Sequence, residues 1–154
     1  MFCDKIQAMA VLRDYQPIKS AALKCLDNYP DVLAAYLFGS LATGRMHSQS
    51  DIDIAVLVSD DIVKGDPFRY RLRLMGDLMS DLGRNDVDLI LLNEAPPLLA
   101  HRVLRDGHLI LERSAAARVR FQIRTVNRYL DTQPMRNFYL ARLKKDAAEG
   151  NLFG

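Results

Sequence analysis

No stretch of this 154-residue chain approaches the ~20 consecutive apolar residues of a membrane-spanning helix. Its opening, MFCDKIQAMA, lacks the plan of a secretory leader. The expectation is therefore a cytoplasmic protein without membrane contact. Cysteine is scarce: Cys3 and Cys25 are the only two and share no ligand spacing, which excludes a disulfide scaffold or a thiolate zinc site. Cys25 reads as a core thiol. The three histidines, His47, His101 and His108, also lack ligand spacing and read as structural or surface residues. No internal repeat or low-complexity tract is visible, which excludes solenoid and disordered classes. What is present is an ordinary globular composition, 49% hydrophobic and 26% charged, long enough for a core.

The net charge of +2 conceals an asymmetry. Residues 1–100 carry ten Lys/Arg against fourteen Asp/Glu, giving −4, and residues 101–154 carry eleven against five, giving +6. Solvated basic helix faces account for this, and a surface for an acidic partner, nucleotide phosphates or RNA is the sharper alternative. At so small a net charge no direct nucleic-acid binding is expected.

Periodicity and punctuation divide the chain into alternating elements. Residues 4–28 read as helix in two pieces, broken or restarted at Pro17. A turn at Asn28-Tyr29-Pro30-Asp31 leads to a strand, Val32 to Phe38, and Ile52 to Val58 is a second. Asp66-Pro67 reads as an N-cap with proline at the first helical position, and Gly83 as the stop. Between them Phe68, Leu72, Met75, Met79 and Leu82 recur at helical spacing as the expected core edge. Asp86 to Leu92 is a third strand, Pro96-Pro97 opens a helix to Arg105, and His108 to Leu111 is a short strand. From Ser114 the chain is helical: Val119, Ile123, Val126 and Leu130 form a narrow apolar stripe, with Arg120, Arg124 and Arg128 away from it. Pro134 is expected to start a final helix through Ala148, burying Met135, Phe138, Tyr139 and Leu143. The last five residues read as a frayed tail.

The densest chemistry lies between the first two strands, in YLFGSLATGRMHSQSDIDIAVLV from Tyr36 to Val58. A Gly39-Ser40 break lets backbone N–H groups approach an anion, and the Ser40 hydroxyl can donate to phosphate oxygen. Asp51 and Asp53, two apart on a strand, share one face. Carboxylates that close repel each other, and a divalent metal with hard oxygen ligands relieves them; magnesium suits, held by one or two carboxylates plus phosphates. Arg45 in the loop either contacts phosphate or faces solvent. Asp86 and Asp88 place two more acids on one face of the third strand.

Gly39-Ser40, ten residues, then Asp51-Ile52-Asp53 resembles the GS-x10-DxD signature of the DNA polymerase beta-like nucleotidyltransferase superfamily. The element order matches that fold, an α/β arrangement of a small mixed sheet with helices packed on one face and a helical C-terminal extension. The resemblance narrows to the minimal nucleotidyltransferase (MNT) family, the antitoxin partners of HEPN toxins. It is carried by Gly39-Ser40…Asp53, by the run Leu92-Asn93-Glu94-Ala95-Pro96-Pro97-Leu98-Leu99 leading into Leu104-Arg105-Asp106-Gly107, and by the helical last third with Tyr129-Leu130-Asp131. It spans residues from about 30 to 148.

The resemblance implies one domain over 1–154, with a catalytic core at about 30–112 and a helical part at 114–150. It implies an ATP- and Mg2+-dependent protein adenylyltransferase that moves AMP to a tyrosine of a HEPN RNase toxin and silences it, in a hetero-oligomer with that toxin. In those roles Gly39, Ser40 and Arg45 would bind nucleotide, while Asp51, Asp53 and a third acid would bind two metal ions and carry catalysis. Asp88 is the choice for the third acid because it directly precedes the Leu-rich strand centre, with Asp86 open as a strand-entry residue. Two other readings remain: a transferase acting on a small aminoglycoside-like hydroxyl, against which the basic last third argues, and an antitoxin that neutralises by binding alone.

Overall fold

The computed structural model describes residues 15–44 and 50–149. Four strands, β1 (Val32–Phe38), β2 (Ile52–Val58), β3 (Val87–Leu91) and β4 (His108–Glu112), form one sheet in the order β3-β2-β1-β4. β1 pairs antiparallel with β2 and with β4, and β2 pairs parallel with β3. A parallel pair needs a crossover, here supplied by α2 (Asp60–Lys64) and α3 (Pro67–Leu82). Helix α1 covers residues 15–26, α4 is Pro97–Asp106 and α5 is Ala115–Ala148. No helix among the described residues is long and apolar enough to cross a membrane.

Strand alternation sorts the core into two layers. Val32, Ala35 and Leu37 of β1 join Ile52, Ile54, Val56 and Val58 of β2 beneath α1 and α3. Ala34, Tyr36, Ala55 and Leu57 point the other way, towards Ala100 and Val103 of α4 and Phe121 of α5. Burial on both faces explains why β1 and β2 read as continuous apolar runs. One-face packing thus describes α1 and α3, while α4 and the C-terminal extension cover part of the opposite face.

The α3 punctuation is as expected. The Asp66 carboxylate accepts from the Arg69 N–H at 3.0 Å, Pro67 follows, and Gly83 ends the helix at φ +64°. Its inward face is displaced: Leu74 and Leu78 are buried, with Met75, Met79 and Leu82 beside them. Phe68 and Leu72 instead face outward. The period was right and the phase was set by packing on β3. Cys25 is a buried free thiol, pushed up to about 11 chiefly by burial. Pro17 lies in the first described turn of α1, where proline is tolerated, and residues 4–14 of the expected first helical region lie outside the described residues.

The C-terminal third departs most. Pro134 does not start a helix but lies inside the single 34-residue α5. Met135, Phe138, Tyr139 and Leu143 are exposed rather than buried, as are Val119, Ile123, Val126 and Leu130. α5 meets the sheet and α4 through Phe121 and Thr125, and Tyr129 stacks on His101 of α4. The aliphatic spacing therefore marked the outward side. The tail, 150–154, lies outside the described residues.

Candidate active site

β1 ends at Phe38, and Gly39 turns the chain with φ +70°. A Cβ at Gly39 would sit 2.0 Å from Oδ2 of Asp53, so the carboxylate occupies the space that a side chain would fill. Two requirements, a left-handed backbone and contact with Asp53, thus meet at one glycine. The turn closes on itself: the Thr43 N–H donates to the Gly39 carbonyl at 3.2 Å, and the Thr43 hydroxyl donates to the carbonyls of Gly39 and Ser40. Nε2 of His108 lies 3.0 Å from the Ala42 carbonyl, tying the turn to β4. That anchor was not legible, because His108 is 66 residues from Ala42 in sequence.

Across the sheet, Asp53 stands opposite Phe38 on one side and opposite Asp88 on the other. The parallel register places Asp53 and Asp88 on the same face, and Asp51 shares it by alternation at the entrance to β2. Asp53 is half-buried while Asp51 and Asp88 are exposed. Burial, then the Asp88 carboxylate, then that of Asp51, push the Asp53 acid up to about 6. An acid raised by neighbouring acids is a place where a cation is electrostatically favoured.

Asp86 has a different environment. Arg84 grips its carboxylate through Nε at 2.7 Å and through a second guanidinium nitrogen. The same side chain donates to the Ser50 carbonyl at 3.1 Å. Hydrogen bonding from Arg84 holds the Asp86 acid below its ordinary value. Asp86 thus closes the strand entrance, where its own carbonyl receives the Ile52 N–H at 2.8 Å. An arginine two residues before an acid was the available sequence signal.

Among the described residues, no group of three or more His, Cys, Asp or Glu side chains forms a metal cage by itself. The donor set nevertheless fits a hard cation that completes its shell with water and phosphate oxygens: all three acids offer oxygen, and Asp53 carries the electrostatic stress. Ser40 follows Gly39 in the turn, and Arg45 lies outside the described residues.

Comparison with known proteins gives a concordant picture. The model of the family described as polymerase beta, nucleotidyltransferase, matches residues 21–116. A protein adenylyltransferase MntA from Aphanizomenon flos-aquae is 30% identical over 129 residues, spanning 80% of this chain and 81% of the relative. A second MntA, from Shewanella oneidensis, is 33% identical over 110 residues, spanning 71% and 75%. Among solved structures, a toxin–antitoxin crystal structure with AMP-PNP superposes with a TM-score of 0.70 at 31% identity, covering 82% of this chain and 98% of that one. A tri-AMPylated Shewanella oneidensis HEPN toxin in complex with MNT antitoxin gives 0.65 at 30% identity, covering 84% and 98%.

Proposed function

The chain belongs to the polymerase beta nucleotidyltransferase family, and from that premise we propose that it is a protein adenylyltransferase and the antitoxin of a HEPN/MNT pair. It transfers AMP from ATP to a tyrosine of its HEPN partner and so inactivates that toxin. The observation that carries this reading is the Asp53–Asp88 register pair with the Asp53 carboxylate seated on Gly39.

In this reading the Gly39-Ser40 turn presents backbone N–H groups and a hydroxyl to the β and γ phosphates. Asp51 and Asp53 would hold the divalent ion that accompanies the triphosphate, and Asp88 would help to hold a second. Bound magnesium would neutralise charge on the entering tyrosine oxygen and on the leaving pyrophosphate oxygen. The tyrosine oxygen forms a bond to the α phosphorus as the bond to the β-phosphate bridging oxygen breaks, and pyrophosphate leaves. The tyrosine proton passes to Asp88, the more exposed of the register pair. Positioning and charge supply the catalysis, since phosphoryl-type transfer asks little covalent work of the protein. Arg45, next to Gly44 in the sequence between the Gly39-Ser40 turn and Asp51, is assigned to phosphate. The core at about 30–112 performs the chemistry, with 114–150 as its helical extension, and the ATP requirement places the reaction in the cytoplasm.

Intact-mass spectrometry of the HEPN partner co-expressed with wild type or with Asp51→Ala/Asp53→Ala tests this. Adenylyl mass on the partner with wild type alone is the expected result. An unmodified partner that is nevertheless bound and inhibited by wild type overturns the transferase reading in favour of neutralisation by binding.

A further inference from the structure

Between α4 and the distal part of α5 lies a groove of about 580 Å³ that the chemistry at Asp53 does not use. It is lined by Arg102, Arg105 and Arg136 and by no acidic side chain. The His101 and Tyr129 rings stack at 3.9 Å and 9°, and the Arg136 guanidinium lies 4.2 Å from the Tyr129 ring centre. That contact fixes Arg136 in place, yet its buried Nε donates to no acceptor. A buried cationic donor left unmet is costly, and an oxyanion arriving from outside would meet it. Arg105 is already engaged by Asp106, at 2.7 and 2.8 Å.

The surroundings favour a protein over a small anion. Tyr139 and Leu140 line the groove, and exposed Leu143 follows them at helical spacing along α5. An apolar patch of this kind beside a charged pocket is the anatomy of a protein interface. Placement points the same way. α4 ends at Asp106; His108 then pairs with Leu37, and its Nε2 lies against the Ala42 carbonyl. The Arg105 end of α4 therefore lies at the end of the sheet where β1 delivers Gly39, and Gly39 touches Asp53.

We infer that this groove is the docking site for the HEPN partner, which presents an acidic side chain to Arg136 and Arg102 and lays apolar side chains on Tyr139, Leu140 and Leu143. The inference rests on the adenylyltransferase reading and adds to it a recognition surface separate from the carboxylates. Docking here holds the partner at the catalytic end of the sheet.

The test is calorimetric titration of the purified full chain with the purified HEPN partner, for wild type, Arg136→Glu and Leu140→Asp. Magnesium-ATP is titrated into the same three proteins, and each chain alone is examined by sedimentation. Both variants should weaken partner binding by about tenfold or more, while magnesium-ATP affinity stays within about twofold of wild type. Partner affinity unchanged in both variants overturns the inference, as does a parallel loss of magnesium-ATP binding. A wild-type dimer that Leu140→Asp dissociates without weakening the partner would assign the groove to a second copy of this chain and overturn it too. Absence of a complex even with wild type overturns the inference as well, whereas the adenylyltransferase reading is decided separately by adenylyl mass on the partner.

Discussion

Gly39→Ala would be asked to hold φ +70° and to place a methyl 2.0 Å from a carboxylate oxygen. The left-handed backbone alone costs about 1–2 kcal/mol, and Asp53 must also move. We expect a lower melting temperature together with loss of adenylyl transfer, read by thermal unfolding and intact mass. The acids separate by environment. Asp53→Asn and Asp88→Asn should each lower transfer by at least about 10²-fold, the size of losing one preorganised transition-state contact. Asp86→Asn, whose carboxylate serves Arg84, should retain transfer within about tenfold and show its effect in stability. Asp53 also sets a pH dependence. Its folded value of about 6 lies above the ordinary 3.8, so folding takes up a proton between them. Its contribution to stability is fully present below the lower value and is lost as pH rises through the upper one. Denaturant midpoints of metal-free protein should carry that downward component between about pH 4 and about pH 6, Asp53→Asn should remove it, and magnesium should restore stability on the high-pH side. Alternation, a local rule, put Asp51 with Asp53 and Asp86 with Asp88, whereas Asp88 stands beside Asp53 only through the β2–β3 register, which the family resemblance implied. The sequence left Asp86 and Asp88 open because the Arg84 bridge to Ser50 spans two strand entrances and exists only once they pair.

Elements were legible where local signals were complete. β1 and β2 fall at the expected residues, and α3 begins and ends at its cap and its glycine. Faces were less legible, since period survives a rotation of the helix but phase is decided by the partner. Phe68 and Leu72 show this in α3, and Val119 and Ile123 in α5. Pro134 shows another limit: proline weakens a helix by removing one N–H, but enough neighbouring turns carry the chain through. The turn at Pro134 is the weak point of α5, because the Leu130 carbonyl loses its helical donor there. Residues beyond Pro134 should exchange amide hydrogens faster than the Phe121 segment, and slow markedly when the HEPN partner is added. Pro134→Ala should reduce that difference, a gain of up to about 3 kcal/mol in local helix stability. Hydrogen exchange followed by mass spectrometry reads both.

At the scale of the molecule, the uneven charge of the chain gains a location. The basic last third includes Arg102, Arg105 and Arg136 around a groove beside exposed apolar residues, whereas the acids cluster at the mouth of the sheet. Binding of the partner to the native chain alone should raise its apparent stability, by about 2.7 kcal/mol at a hundredfold excess over Kd. A thermal shift that grows with partner concentration and disappears in Leu140→Asp is the expected record. The strand order has one more effect. Gly39, Ser40, Asp51 and Asp53 belong to the β1–β2 hairpin and can come together early, during synthesis of the first sixty residues or so. Asp88 sits on β3, which among the described residues is an outer strand with β2 as its one neighbour, and arrives only after α2 and α3 have carried the chain back across the sheet. A half-made chain therefore holds the Gly39-Ser40 turn but not all three acids. Peeling of one border strand by heat would likewise silence the enzyme while most of the fold still stands, making turnover a stricter gauge of a finished molecule than any spectroscopic signal of its helices.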